Sequence, residues 1–213
     1  MNVLKTILFL LILTLFSCTI TQEYHFNRDF SGSTKLSIDM ASFMQMMAGM
    51  DSTGNSTQNL HDSLNLVFEE SAQKLKDLGV KNIKLGWQEN SDILSMSYEF
   101  DNIDILNKAL NSANEQNAAL SKTISTEPHI YFSRKGKTLN YFGPKSDKES
   151  PKEMESMSEY YQYELIFTFD RKVKKVDNPN VTLSPDGKKV QLKGSMFKII
   201  RSDFNSDIKF KLK

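Results

Sequence analysis

One thiol, several Ser-x-x-Lys pairs, three histidines and a cluster of methionines are the residue types in this chain that could do chemistry. Ser71 with Lys74, and Ser195 with Lys198, have the spacing of the serine nucleophile and lysine of some acylating enzymes. The other signature motifs of those enzymes are missing, and Ser and Lys are common enough here for chance to produce the pair repeatedly. His25, His61 and His129 stand apart from one another in sequence. Asp29 is four residues from His25, but on a strand at ~3.3 Å per residue the two would lie about 13 Å apart, too far to share an ion. Residues 40–50 (MASFMQMMAGM) hold five methionines, whose thioethers are soft ligands suited to Cu(I), yet no His or Cys lies among them. At helical spacing Met40, Phe43, Met44 and Met47 share a face, which predicts a short amphipathic helix packed on a sheet with Met filling gaps. The alternative is a lid whose hydrophobic face contacts a lipid or a partner. No Gly-x-Ser-x-Gly elbow, His-Glu-x-x-His, P-loop or Gly-x-Gly-x-x-Gly occurs. No metal or cofactor is expected, and the chain reads as a non-enzymatic binding or assembly module, the alternatives being a purely structural protein and, less so, an enzyme with a spatially assembled site.

The remaining group, the only thiol, is Cys18, and its place in the chain decides its chemistry. It follows Lys5, an almost wholly apolar run over residues 6–16, and Ser17. That run is too short for a helix across a hydrocarbon core of ~30 Å, and its charged start and small-residue exit describe a secretory signal peptide. Leu15-Phe16-Ser17-Cys18 resembles the lipobox of bacterial lipoproteins, in which cleavage falls before a diacylated cysteine. The resemblance implies cleavage between Ser17 and Cys18, and acyl chains such as palmitate on Cys18. It implies attachment to a cell-envelope membrane, and Thr19 in place of Asp favours the outer membrane with a periplasm-facing domain. An acylated Cys18 leaves no thiol for catalysis.

Removing residues 1–17 leaves 213 − 17 = 196 residues, enough for one large domain with a sizeable core. Only Lys5 is lost among the charges, so 26 basic residues face 26 acidic ones. Without a basic excess there is no electrostatic footprint for nucleic acid or for adhesion to anionic lipid by charge alone. The expected partners are the membrane, through the lipid anchor, and a lipid-like or protein ligand.

The elements that must position these groups follow from periodicity. Residues 18–23 read as the lipidated cysteine and a short polar tether, and residues 24–213 as a single domain. Tyr24, Phe26, Arg28 and Phe30 alternate with polar residues, as do Leu36, Ile38 and Met40, predicting a hairpin around Ser31-Gly32-Ser33. Residues 51–59 have loop composition. Leu60, Leu64, Val67, Phe68, Ala72, Leu75 and Leu78 then mark a helix closed by Gly79. Alternation at Ile83–Trp87 and Leu94–Phe100 gives a second hairpin. Asp101 is expected to cap a helix with Ile103, Leu106, Leu110 and Ala113 on its buried side. A third hairpin spans 130–142, and the Lys-, Glu- and Ser-rich stretch 143–158 reads as a surface loop. Tyr161, Tyr163, Leu165, Phe167 and Phe169 form the core face of a central strand, Ser184-Pro185-Asp186-Gly187 turns a further hairpin, and Ile208, Phe210 and Leu212 end the chain as a strand.

The lipobox, Asp29 to Ser33 at the first turn, Asp39-Met40, the helix opening at Asp101 with Leu106, Asn107, Ala109 and Leu110, and Ser184 to Lys188 together resemble lipoproteins with an LppM-type domain. The resemblance implies an antiparallel sheet curved around helices, no established enzyme activity and lipid-related binding. The fold class is therefore expected to be α+β. A single curved, mostly antiparallel sheet is built from hairpins, with two main helices on one face.

Overall fold

Period-two alternation builds the eleven strands of the described residues, and one departure from the expected pattern occurs where polar side chains occupy a strand. The computed structural model describes residues 18–50, 55–120, 129–144, 161–199 and 204–213. Seven strands form one sheet in the order β3-β4-β2-β1-β7-β10-β9, where β1 is Cys18–Phe26, β2 Gly32–Asp39, β3 Lys81–Trp87, β4 Ile93–Phe100, β7 Tyr161–Phe169, β9 Val181–Leu183 and β10 Lys189–Ser195. Four more form a second sheet, β5-β6-β11-β8, from β5 Phe132–Lys135, β6 Thr138–Tyr141, β8 Val173–Val176 and β11 Ile208–Leu212. The pairing is antiparallel throughout except between β1 and β7. The chain is a single α+β domain, as the patterning predicts, with its strands divided between two sheets.

Residues 18–23 are not a tether. They are the first part of β1, which pairs with β2 on one side and β7 on the other, from Cys18↔Tyr161 onward. The polar residues there are satisfied within the sheet: Gln22 Nε2 donates to Thr34 Oγ1 at 2.6 Å, and Thr34 Oγ1 donates to the Glu23 carbonyl at 2.8 Å. The first turn falls at residues 27–31 rather than at Ser31-Gly32-Ser33, so Arg28 is exposed in the turn and Phe30 takes a positive φ of 71°. Gly32 is required where it stands, because a Cβ there would lie 1.8 Å from the His25 carbonyl oxygen.

Among the described residues four helices accompany the sheets: α1 Ala41–Met50, α2 Asn55–Asp77, α3 Ile103–Leu120 and the short α4 Met196–Ile199. Asp39 Oδ1 accepts from Ala41 N at 3.0 Å and caps α1. Helix α2 begins at Asn55, inside the loop expected over residues 51–59, while residues 51–54 and the loop beyond residue 144 lie outside the described residues. Its end is as predicted: Gly79 (φ 86°) donates to the Lys76 carbonyl and Val80 to the Leu75 carbonyl, with Leu75 and Val80 both buried. The cap of α3 is Asn102, whose Oδ1 accepts from Ile105 N at 3.0 Å; Asp101 is instead paired with Lys81 at 2.6 Å. Helices α2 and α3 pack on each other, α2 on β3 and α3 on β4 and β5.

The core lies between the sheets and is filled with rings. Tyr24, Phe26, Phe167 and Phe169 of the large sheet meet Phe132, Tyr141 and Phe210 of the small one, all buried. Tyr24 and Phe167 sit edge-on or tilted to Phe132 and Phe210 at centroid separations of 4.9 Å, the arrangement the ring quadrupole favours. Among the described residues these side chains fill the space between the two sheets.

Candidate functional site

Cys18 is the first residue of the central strand and is half-buried. Burial pushes its thiol pKa up, and the Asp39 carboxylate nearby adds to the shift, so a free thiol there is a poor source of thiolate. Ser17 lies outside the described residues. Met40 joins β2 to α1 and is half-buried, and Met44 is 6% exposed. Phe43 and Met47 belong to α1, but their side chains lie outside the described residues.

The other reactive groups do not assemble. Lys74 Nζ is held by Glu70 at 2.8 Å, one turn back on α2. Ser195 Oγ is buried at the end of β10 without a hydrogen-bond partner, while Lys198 is exposed with its Nζ 5.7 Å from the Phe204 ring centre. His25 Nε2 lies 3.4 Å from Asp170, and His129 Nε2 lies 3.1 Å from the Phe142 carbonyl. Among the described residues no three His, Cys, Asp or Glu side chains converge as a metal-ligand set.

A cleft that motif reading missed lies at the opposite end of β1 from Cys18. It has a volume of about 510 Å³ and is bounded by the β1–β2 turn, the first turns of α3 and the start of β5. Phe30, Ile103 and Phe132 form its buried apolar floor, and Ile130, 64% exposed, stands on its wall. Most polar groups around it are committed to building it. Arg134 lies over the Phe30 ring at 4.3 Å and donates through Nη1 to the Asp29 carbonyl at 3.2 Å and through Nε to the Gly136 carbonyl at 3.2 Å. This clamps β5 to the turn and holds an aromatic residue in left-handed backbone geometry, a conformation that needs support from its surroundings. The Asp29 carboxylate accepts from Ser31 N and Oγ, which keeps its pKa below the usual carboxylate value.

Two asparagines one helical turn apart fix the remaining wall. Asn107 donates to the Phe132 carbonyl at 2.8 Å and accepts from Phe132 N at 2.9 Å. Asn111 does the same for His129, both distances being 2.8 Å. Each amide thus satisfies a backbone N–H and C=O that a neighbouring strand would otherwise take, and Ile130 is held between the two anchor points. The available signal was an amide at i and i+4 beside the apolar stripe of a helix, at Leu106-Asn107 and Leu110-Asn111.

Fold and cleft together define an α+β domain with a ring-filled core and an open cleft at one end. No protein-family model and no curated protein matches this chain. Among solved structures it is similar to the NMR structure of the folded domain of Mycobacterium tuberculosis LppM, with a TM-score of 0.41 and 9% identity over 92% of this chain and 89% of that one. At that identity no residue role passes from one chain to the other.

Proposed function

We propose that this protein is a lipid-anchored cell-envelope protein, attached through Cys18 and acting as a non-enzymatic binding or assembly module. The observation that carries the binding role is the cleft: Ile130, 64% exposed, stands over a buried apolar floor within a rim of the exposed Asp29, Asn102, Asp104 and Arg134. A surface of that kind recognises an apolar group on a partner and offers no nucleophile and base in contact. The filled interior favours a partner that docks at the cleft over a lipid engulfed between the sheets. Attachment rests on the apolar run and on Leu15-Phe16-Ser17-Cys18; no described helix is long and apolar enough to cross a membrane. The outer membrane, with the domain facing the periplasm, is the destination that Thr19 favours.

Fractionation of Cys18→Ser tests the anchor: the variant accumulates as an unprocessed precursor or leaves the membrane. Normal partition at the parent's mass would sink the anchoring. A photo-crosslinking residue at Ile130 tests the cleft against the same residue at Leu183, an exposed position on β9. A discrete adduct at position 130 that is absent at 183 is expected, and equal labelling at both removes the cleft as the binding surface.

A further inference from the structure

The end of the large sheet that carries Cys18 differs in kind from the end that carries the cleft. Register places Trp87, Leu94, Ile38, Ile20, Tyr163 and Gly194 side by side across six strands, two residues in from Cys18. Ile20, Ile38 and Trp87 in this row stay half-exposed. Side chains alternate along a strand, so Cys18 and Ile20 share the face of β1 that carries Tyr24 and Phe26. Helix α1 packs beside β1 and is ten residues, ASFMQMMAGM, without one charge. Among the described residues the ionised groups at this end are Asp39, used as the α1 cap, Glu89 and Asp92 in the β3–β4 turn, Lys198 on α4, and Glu164 and Lys193, which face each other across β7 and β10 one residue from the row. At the cleft end, by contrast, Arg28, Asp29, Lys81, Asp101 and Asp170 gather around the turns.

In the mature protein proposed above the acyl chains sit on Cys18 itself, and Cys18 is already bonded into the sheet. No linker separates the anchor from the central strand. We propose that the Cys18 end of the sheet, with α1 beside it, seats directly on the lipid surface and holds the cleft away from it. Eight steps of ~3.3 Å along β1 separate Cys18 from Phe26, so the cleft stands about 26 Å out, facing the aqueous side. The half-exposed apolar row and the uncharged helix then lie at the headgroup boundary, where apolar area and the acyl chains on Cys18 act together. The seating rests on the anchoring proposed above.

The full-length acylated protein provides the test, because acylation consumes the only native thiol. A cysteine introduced at exposed Gln45 on α1, or at exposed Arg28 in the first turn, is then the single site for a nitroxide. In vesicles of phosphatidylethanolamine and phosphatidylglycerol, the label at position 45 loses access to a water-soluble nickel relaxation agent and the label at 28 keeps it. Should Gln45→Cys fold poorly, native Trp87, the only tryptophan, reads the same surface through quenching by lipids brominated high on their acyl chains. Protein that sediments with vesicles while position 45 remains as accessible as position 28, or Trp87 stays unquenched, overturns the seating and leaves the anchor standing. Protein that fails to sediment overturns the anchor and the seating with it.

Discussion

Asn107 and Asn111 act as a strand would, each presenting a donor and an acceptor to one backbone unit of the segment that enters β5. Removing the amide leaves a half-buried N–H and C=O without partners, and that desolvation is the larger part of the cost. Asn107→Ala should therefore lower stability by about 1–3 kcal/mol, read as a shift of the urea midpoint, and should raise hydrogen exchange at the Phe132 amide. If Asn107→Ala matches the parent in both, the asparagine clamp is not what positions the cleft wall. Little of this was legible in the sequence. An asparagine beside a helical stripe looks like any polar flank until the segment it holds, 25 residues later at Phe132, is known. Arg134 and Phe30 were hidden for the same reason, since their contact joins residues more than a hundred positions apart.

Among the elements, β1 separates what periodicity can and cannot show. Tyr161–Phe169 was readable because large apolar residues occupy every second position and end in the core. Cys18-Thr-Ile-Thr-Gln-Glu was not, because its polar residues satisfy one another across the ladder and the strand gains its place from two neighbours. The helix ends follow the same division. Gly79 announces a C-terminus by its own backbone freedom, whereas Asp101 and Asn102 are both plausible caps, and only the pairing of Asp101 with Lys81 selects Asn102. Thr21→Pro tests the assignment of β1, because proline removes a ladder donor from a strand paired on both sides. A loss of at least about 2 kcal/mol is expected in a denaturant melt, whereas a tether would accept the change silently.

For the whole molecule, the filled aromatic core has a signature in alkali. Burial raises the phenol pKa of Tyr24, Tyr98, Tyr141 and Tyr163, with neighbouring tyrosines adding to the shift for Tyr24, Tyr141 and Tyr163. A phenol whose pKa is raised on folding costs nothing below the unfolded value of about 10, and stability falls as pH climbs from there toward the folded value. A phenolate absorbance titration should show these four of the seven tyrosines silent near pH 10 and ionising together with loss of near-ultraviolet dichroism. Four independent titrations before any loss of dichroism would show an open interior. The parallel pairing of β1 with β7 has a consequence for when this core can close. Cys18 waits for Tyr161, 161 − 18 = 143 residues downstream, and loop closure over that span must precede the contacts that reward it. One flank of β1, the strand in the middle of the large sheet, stays unpaired until β7, in the last quarter of the chain, has been synthesised. For most of synthesis β1 therefore holds an open ladder edge on that side, the edge at which an unfinished chain is exposed to mispairing.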